Sequence, residues 1–243
     1  MSITDAVFRA VRSGNALEET VERLLEGIKL GVYAPGDRLP AERELTRRLG
    51  VSRITLRDAL HELGSAGYVE TKRGRFGGTF VLRQPEPLSP QSVDQGFLED
   101  ALTFRAVIEV GAAEMAARAT LSQQQREDLA DSLAAVQIAC DGIGDGAEYR
   151  QADTRLHLAI AEAAGSPLVT ASVVTARVRL VDLLNSIPVL GRNLDHANAQ
   201  HARIVHAVLA GDAERARLAM AEHVAGTAAL LRGFLRDSLT SAS

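Results

Sequence analysis

From residue 96 onward the chain can adopt few folds. Apolar residues recur at helical spacing in six successive blocks, near 96–119, 122–140, 146–164, 167–187, 193–210 and 212–235. The breaks between them are short and made of helix-stopping residues: Thr120-Leu121-Ser122, Gly142 to Gly146, Gly165-Ser166-Pro167, Pro188 to Gly191, and Gly211-Asp212. Helices joined by so little chain pack antiparallel to their neighbours, so the spacing predicts an all-helical antiparallel bundle over 96–243. No internal repeat or low-complexity tract interrupts the pattern.

Upstream the character changes. The segment QPEPLSPQS, 84–92, carries three prolines in nine residues and has no apolar period, which marks a linker over 84–95. The chain of 243 residues is long enough for two domains, and the charges divide in the same place. Residues 1–83 hold 14 Lys and Arg against 11 Asp and Glu, a net of +3, whereas residues 84–243 hold 13 against 20, a net of -7. Different partners are expected for the two halves. The single cysteine, Cys140, excludes an internal disulfide framework, and no run has the ~18 consecutive apolar residues of a spanning helix. The N-terminus lacks the apolar block of a signal peptide. These features lead us to expect a soluble protein of the cytoplasm with no membrane partner.

The basic half carries the sharpest local pattern. Leu17, Val21, Leu24, Leu25 and Ile28 predict a helix over 16–30 stopped by Gly31, after which YAPGDRLP reads as a turn; residues 1–15 are expected to form an additional helical arm. Over 40–81 runs PAERELTRRLGVSRITLRDALHELGSAGYVETKRGRFGGTFV. Leu45 and Leu49 face inward on a first short helix, Gly50 ends it, and Ser52 caps a second that turns Ile54, Leu56, Ala59, Leu60 and Leu63 inward and leaves Arg53, Thr55 and Arg57 near its start. Gly67 stops that helix. Tyr68 to Glu70 and Thr79 to Val81 then read as antiparallel strands, with Lys72, Arg73, Gly74 and Arg75 at the hairpin tip. Two short helices with a glycine turn, then a basic wing, match the geometry of a winged helix-turn-helix. Arg can read the guanine edge, Thr can meet phosphate or a thymine methyl, and a helix N-terminus favours phosphate. A basic cluster that only solvates a helix surface is the competing reading for the helix pair alone.

The stretch 28–81 resembles the winged helix-turn-helix of GntR-type transcription regulators nearly without gaps. That resemblance implies operator contacts for Arg43, Arg53, Thr55, Arg57 and Gly74, to which the capping Ser52 and the wing's Arg73 are added on chemistry. Residues 96–235 resemble the helical ligand-sensing FCD domain of the FadR subfamily, through LTFRAVIEVGAAEMAA, DTRLHLAIAEAAG and QHARIVHAVLAGDAERARLAMAEHV. Two positions depart from the usual pattern: Leu156 stands where Phe commonly precedes the histidine, and Ser166 where Asn commonly follows the glycine. The fold expected is therefore mainly α, a winged helix-turn-helix with a small β-wing (1–83) followed by an FCD-like bundle.

Within the bundle, Asp153 and His157 project from one helical face that continues through Ile160, Ala161 and Ala164. His201 precedes Ile204, Val205 and Val208, and His223 shares a face with Ala216, Ala219, Met220, Thr227 and Leu230, so both also turn inward. A lone buried carboxylate and three partnerless imidazoles are costly, and joining them relieves both costs. One carboxylate and three imidazoles suit a divalent ion such as Zn²⁺ or Ni²⁺, and the resemblance implies a metal at these four positions. For Asp153 and His157 alone, a buried hydrogen bond is the alternative. His206 lies about 140° around the helix from His201 at ~100° per residue, and neither it nor His61 or His196 receives a role.

Arg105 and Glu109, one turn apart, read either as an i,i+4 ion pair or as an anchor for an anionic effector, with Asn185, Arg150 and Arg177 as further candidates. The expectation is a homodimeric repressor on a near-palindromic double-stranded operator, modulated by a small carboxylate that takes an open metal position. Two alternatives stand beside it: a regulator whose metal is purely structural and whose effector binds elsewhere, and a metal-dependent hydrolytic enzyme.

Overall fold

The computed structural model describes Phe8 and residues 16–74, 77–84, 93–142, 146–188 and 190–240. The arm expected over 1–15 lies outside these residues apart from Phe8, as do Arg75 and the linker's residues 85–92. The chain parts into two compact units between residues 86 and 87.

In the first unit, α1 (Ala16–Lys29) is followed by α2 (Glu42–Leu49), α3 (Arg53–Ser65), β1 (Val69–Lys72) and β2 (Gly78–Val81). Helix α1 ends where Gly31 takes a φ of 67°, a left-handed conformation that glycine adopts without a Cβ penalty. The turn between α2 and α3 rests on Gly50, at φ 68°, whose N–H bonds back to the Thr46 carbonyl. Ser52 caps α3 by accepting from the Thr55 N–H at 3.0 Å. A Schellman closure ends it, with Gly67 N–H bonding Gly64 O and Tyr68 N–H bonding Leu63 O. Leu24, Ile28, Leu45, Leu49, Leu56 and Leu63 fill the core beneath.

Two expectations need correction here. Ile54 is 74% exposed rather than turned inward. The buried face of α3 follows Leu56, Ala59, Leu60 and Leu63, and Ile54, two residues before Leu56, lies about 200° around the helix at ~100° per residue. Extended pairing also reaches the stretch read as a turn, beyond the two expected strands: Arg38 bridges Phe80, and the turn between α1 and α2 bonds β2 through Leu39 N–H to Thr79 O and Gly36 N–H to Val81 O. The wing is thus a two-stranded sheet, in the register Val69↔Val81 to Lys72↔Gly78, braced along its outer strand.

The second unit consists of α4 (Gln95–Arg118), α5 (Gln123–Asp141), α6 (Ala147–Ala163), α7 (Pro167–Asn185), α8 (Gly191–Ala210) and α9 (Ala213–Thr240). Each expected block forms one helix. Ser122 and Gln125 make a reciprocal capping box at the start of α5, and Ser166 with Pro167 at the first helical position opens α7. The core divides into two clusters, one of which gathers Leu156, Ile160, Ile204, Val205 and Met220 beside α4, and the other Leu98, Leu102, Leu183 and Leu231. Among the described residues no helix is long and apolar enough to cross a membrane.

Candidate metal centre and nucleic-acid interface

Asp153, His157, His201 and His223, from α6, α8 and α9, converge in the second unit. Each offers one ligand atom, and the four atoms lie within 4.8 Å of one another. All four side chains are buried, His201 completely. The imidazole centroids stand 4.4 Å apart for His201 and His223, 5.1 Å for His157 and His223, and 5.4 Å for His157 and His201. Asp153 Oδ1 lies 3.1 Å from His201 Nε2 and 3.7 Å from His157 Nε2.

Around this cluster sits a second layer of polar groups. Glu109 Oε2 lies 2.8 Å from His157 Nδ1, so that Nε2 of the same ring faces the centre. Gln200 Oε1 is 3.2 Å from His223 Nδ1, an arrangement in which the ring donates there and keeps its Nε2 lone pair toward the centre. Arg105 Nη2 lies 3.3 Å from that Nε2 and its Nε donates to Glu109 Oε2 at 3.2 Å. Arg177 donates from Nη2 to Asp153 Oδ2 and, at 3.0 Å, to Thr154 Oγ1. Arg105 and Arg177 rank among the largest fully buried side chains in the protein. Their two positive charges offset the two negative charges of Asp153 and Glu109.

The electrostatics favour a ligand-ready state. Burial pushes the His157 and His223 pKa values down, and for His223 the close His201 and His157 rings and the Arg105 guanidinium push further, so protonation of either ring is disfavoured. Burial pushes the Asp153 carboxyl up, but Arg177, with His157 and His201, outweighs it and holds that carboxyl well below the usual carboxylate range. For Glu109, burial is likewise outweighed by Arg105 and His157, which lower it. Neutral rings at His157 and His223 beside an ionised Asp153 are in the protonation state that ligates a metal.

The residues fit such an ion on a second count. Both ring nitrogens of His157 and of His201 are buried without an aligned hydrogen-bond partner, as are Arg105 Nη1 and Glu109 Oε1. Buried polar atoms are nearly always paired, so this concentration marks a place built for a group that supplies the missing bonds. A cation meets the ring nitrogens, and an anion meets the guanidinium.

Next to the cluster opens a pocket with a cavity volume of about 60 Å³, to which Arg105, Asp153 and His223 all contribute. Arg150 also lines it, with its guanidinium bonded to the Ile187 carbonyl at 3.1 Å. Glu109 stands behind His157 rather than in the pocket, and Arg177 stands behind Asp153. Asn185, half-buried at the end of α7, does not line it. Sequence reasoning gave no role to Gln200 or Thr154, because nothing in a helical period says which polar neighbour reaches across to a ring or guanidinium.

In the first unit, Arg43, Ser52, Arg53 and Arg57 are exposed on α2 and at the start of α3, with Thr55 half-buried beside its Ser52 cap, and Arg73 and Gly74 are exposed at the wing. Arg57 Nε donates to Glu42 at 3.0 Å. A groove between α3 and the wing brings Arg57 together with Arg38, His61, Lys72, Arg73 and Gly74. Arg38 and His61 thus join the basic surface without having been expected there.

Comparison with known proteins agrees with both units. Residues 16–81 match the family described as bacterial regulatory proteins, gntR family, and residues 100–226 match the FCD domain. The chain is 32% identical over 226 residues to RmpR of Mycobacterium gastri, named as an HTH-type transcriptional regulator, covering 90% of this chain and 81% of that protein. It is 31% identical over 225 residues to the Glc operon transcriptional activator of Escherichia coli, covering 85% and 84%. In fold it is similar to E. coli McbR/YncC, with a TM-score of 0.55 at 21% identity over 92% of this chain and 99% of that one. The DNA-reading unit and the sensing unit therefore occur together and in order, and the chain belongs to the GntR family of transcription regulators with an FCD domain, which are not enzymes.

Proposed function

We propose that this regulator is a homodimeric repressor whose grip on a near-palindromic operator is modulated by a small organic acid, bound beside a divalent metal that Asp153, His157, His201 and His223 hold. The observation that carries this reading is the convergence of four buried ligand atoms within 4.8 Å in a cluster where the ring nitrogens of His157 and His201 lack an aligned hydrogen-bond partner. Three nitrogens and one carboxylate oxygen suit Zn²⁺ or Ni²⁺. When bound, such an ion supplies a Lewis-acid anchor for a carboxylate.

Charge supports an anionic effector. The two guanidinium and two carboxylate charges already balance, so a divalent cation leaves the buried cluster with two uncompensated positive charges, of which each carboxylate entering the adjacent pocket offsets one. Arg105 faces both the cluster and the pocket and holds a buried, unpartnered Nη1 for that acid. Arg177 keeps Asp153 ionised and Glu109 orients the His157 ring, each from behind.

In the dimer, two copies of α3 enter successive major grooves about 34 Å apart, with Arg43, Ser52, Arg53, Thr55, Arg57, Arg73 and Gly74 at the DNA. An effector changes operator affinity only through its different affinity for the two arrangements of the protein, typically by ~1–3 kcal/mol. The test is fluorescence anisotropy on an operator selected in vitro, with and without C2–C8 carboxylates, using metal-loaded and metal-stripped protein. Loaded protein should lose operator affinity by at least about fivefold with an active acid, and stripped protein should not respond. Equal responses with and without metal would contradict the reading.

Ile54 extends the operator surface. A large aliphatic side chain left bare between Arg53 and Thr55 gains nothing in the free protein, but an apolar contact to a thymine methyl is one way the major groove is read. In repeated site selection Ile54→Asn should displace thymine at one position of each half-site, at a cost of ~1–3 kcal/mol on the original sequence. An unchanged selected sequence would remove Ile54 from the reader.

A further inference from the structure

The pocket beside the metal cluster is lined by charged and hydroxyl groups next to the cluster and mainly by Leu and Ile side chains farther out, where Arg150 and Asn193 also reach it. The reason lies in how four helices leave the cluster. Along α7 Leu180 and Leu184, and just past its end Ile187, follow Arg177, the partner of Asp153, at three, seven and ten residues. Along α9, Thr227 and Leu230 follow His223 at four and seven. Along α8, Leu194 precedes His201 by seven, and along α6, Tyr149 precedes Asp153 by four. Each of these residues lines the pocket. With about 1.5 Å of rise per residue, a separation of seven places Leu184, Leu194 and Leu230 about 10 Å along their helices from the cluster, roughly the span of eight methylene carbons.

The two ends call for different chemistry. At the inner end Arg105 Nη1 and Tyr149 Oη are both buried and both lack partners, two donors for the oxygens of one carboxylate. Beyond them Leu184, Leu194 and Leu230 are half-buried, each packed against the core on one side and lining the pocket on another. A two- or three-carbon acid fills the first region and leaves that surface wet.

We propose that the effector is a monocarboxylate with an unbranched or aryl apolar tail of roughly six to eight carbons, its head at Arg105 and Tyr149 and its tail between Leu184, Leu194 and Leu230. This rests on the reading that an acid binds beside the metal cluster. Each methylene that leaves water for the lobe raises affinity about fourfold, the equivalent of ~0.8 kcal/mol, until the tail outgrows the lobe.

The experiment is isothermal titration calorimetry of the Zn²⁺-loaded full chain with acetate, butanoate, hexanoate, octanoate and decanoate, with 1-octanol as the headless control. Affinity should rise stepwise to hexanoate or octanoate and then level or fall, and octanol should bind at least about a hundredfold more weakly than octanoate. Leu230→Phe, which shortens the lobe, should move the optimum down by about two carbons and leave butanoate unchanged. If Leu230→Phe fails to fold, Leu184→Phe serves the same purpose. Carboxylates bound with no dependence on length would overturn the tail assignment and leave the acid site standing. Octanol binding as well as octanoate, or no carboxylate binding at any length, would overturn the acid site and the proposal with it.

Discussion

Exchanging His201 and His223 for alanine should reduce divalent metal from about one ion per chain to less than a tenth, as read by plasma mass spectrometry on tag-free protein. The two rings come from different helices, stand 4.4 Å apart, and make up half of the ligand set. Their loss leaves Asp153 and His157, an i,i+4 pair, which is too few donors for a tight site. His223 also gives Arg105 and Gln200 a shared partner, so a packing defect is expected beside the metal loss. Operator binding separates the two effects. The reader is a separate unit, so a folded variant should still bind DNA and should no longer respond to carboxylates. Metal retained near one ion per chain would place the ion elsewhere.

The second large effect is on stability. Arg177→Met should destabilise the metal-stripped protein by about 3–5 kcal/mol in denaturant unfolding. Arg177 is fully buried, donates to both Asp153 and Thr154, and lies 3.9 Å from Glu109. Without it two carboxylates remain in the interior with one guanidinium between them, and the Asp153 carboxyl moves up from its lowered pKa because its strongest lowering neighbour is gone. The deficit relative to the parent protein then shrinks on acidification, as protonation removes the unpaired charge. The paired change Arg177→Met with Asp153→Leu should recover at least half of the loss, since replacing both members of a buried ion pair costs far less than removing one. Arg179→Met, which breaks an exposed pair with Asp100, should change little. A loss below about 1 kcal/mol for Arg177→Met would show that the pair does not hold the site together.

How much of this was legible in the sequence depended on whether a residue's setting was local. The six helices of the sensor were readable because their ends carry local chemistry: the Ser122 box, the Ser166-Pro167 start, and Gly211 at φ 75°. The four candidate ligands were readable because each stands on an apolar face of its own helix, which forces a buried polar group to find a partner. The partners themselves were not. Gln200 reaches His223 from another helix, and Arg177 sits in VVTARVRLVDLL, where an apolar period does not distinguish a guanidinium that is swallowed whole from one that extends to solvent. Glu109, expected to meet an effector, instead backs His157. Ile54 was misplaced because it was grouped with the apolar Leu56, Ala59, Leu60 and Leu63 of the same helix, although its angle on α3 points away from them. Arg38's bridge to Phe80 is a single rung within a turn and has no periodic signature.

The central claim is that the three imidazoles and Asp153 hold one metal. X-ray absorption at the K-edge of the divalent ion that copurifies with the full chain tests it most directly. The account requires a first shell of nitrogen and oxygen with the outer-shell scattering of three imidazole rings. A shell of oxygen alone, or one containing sulfur, would contradict it.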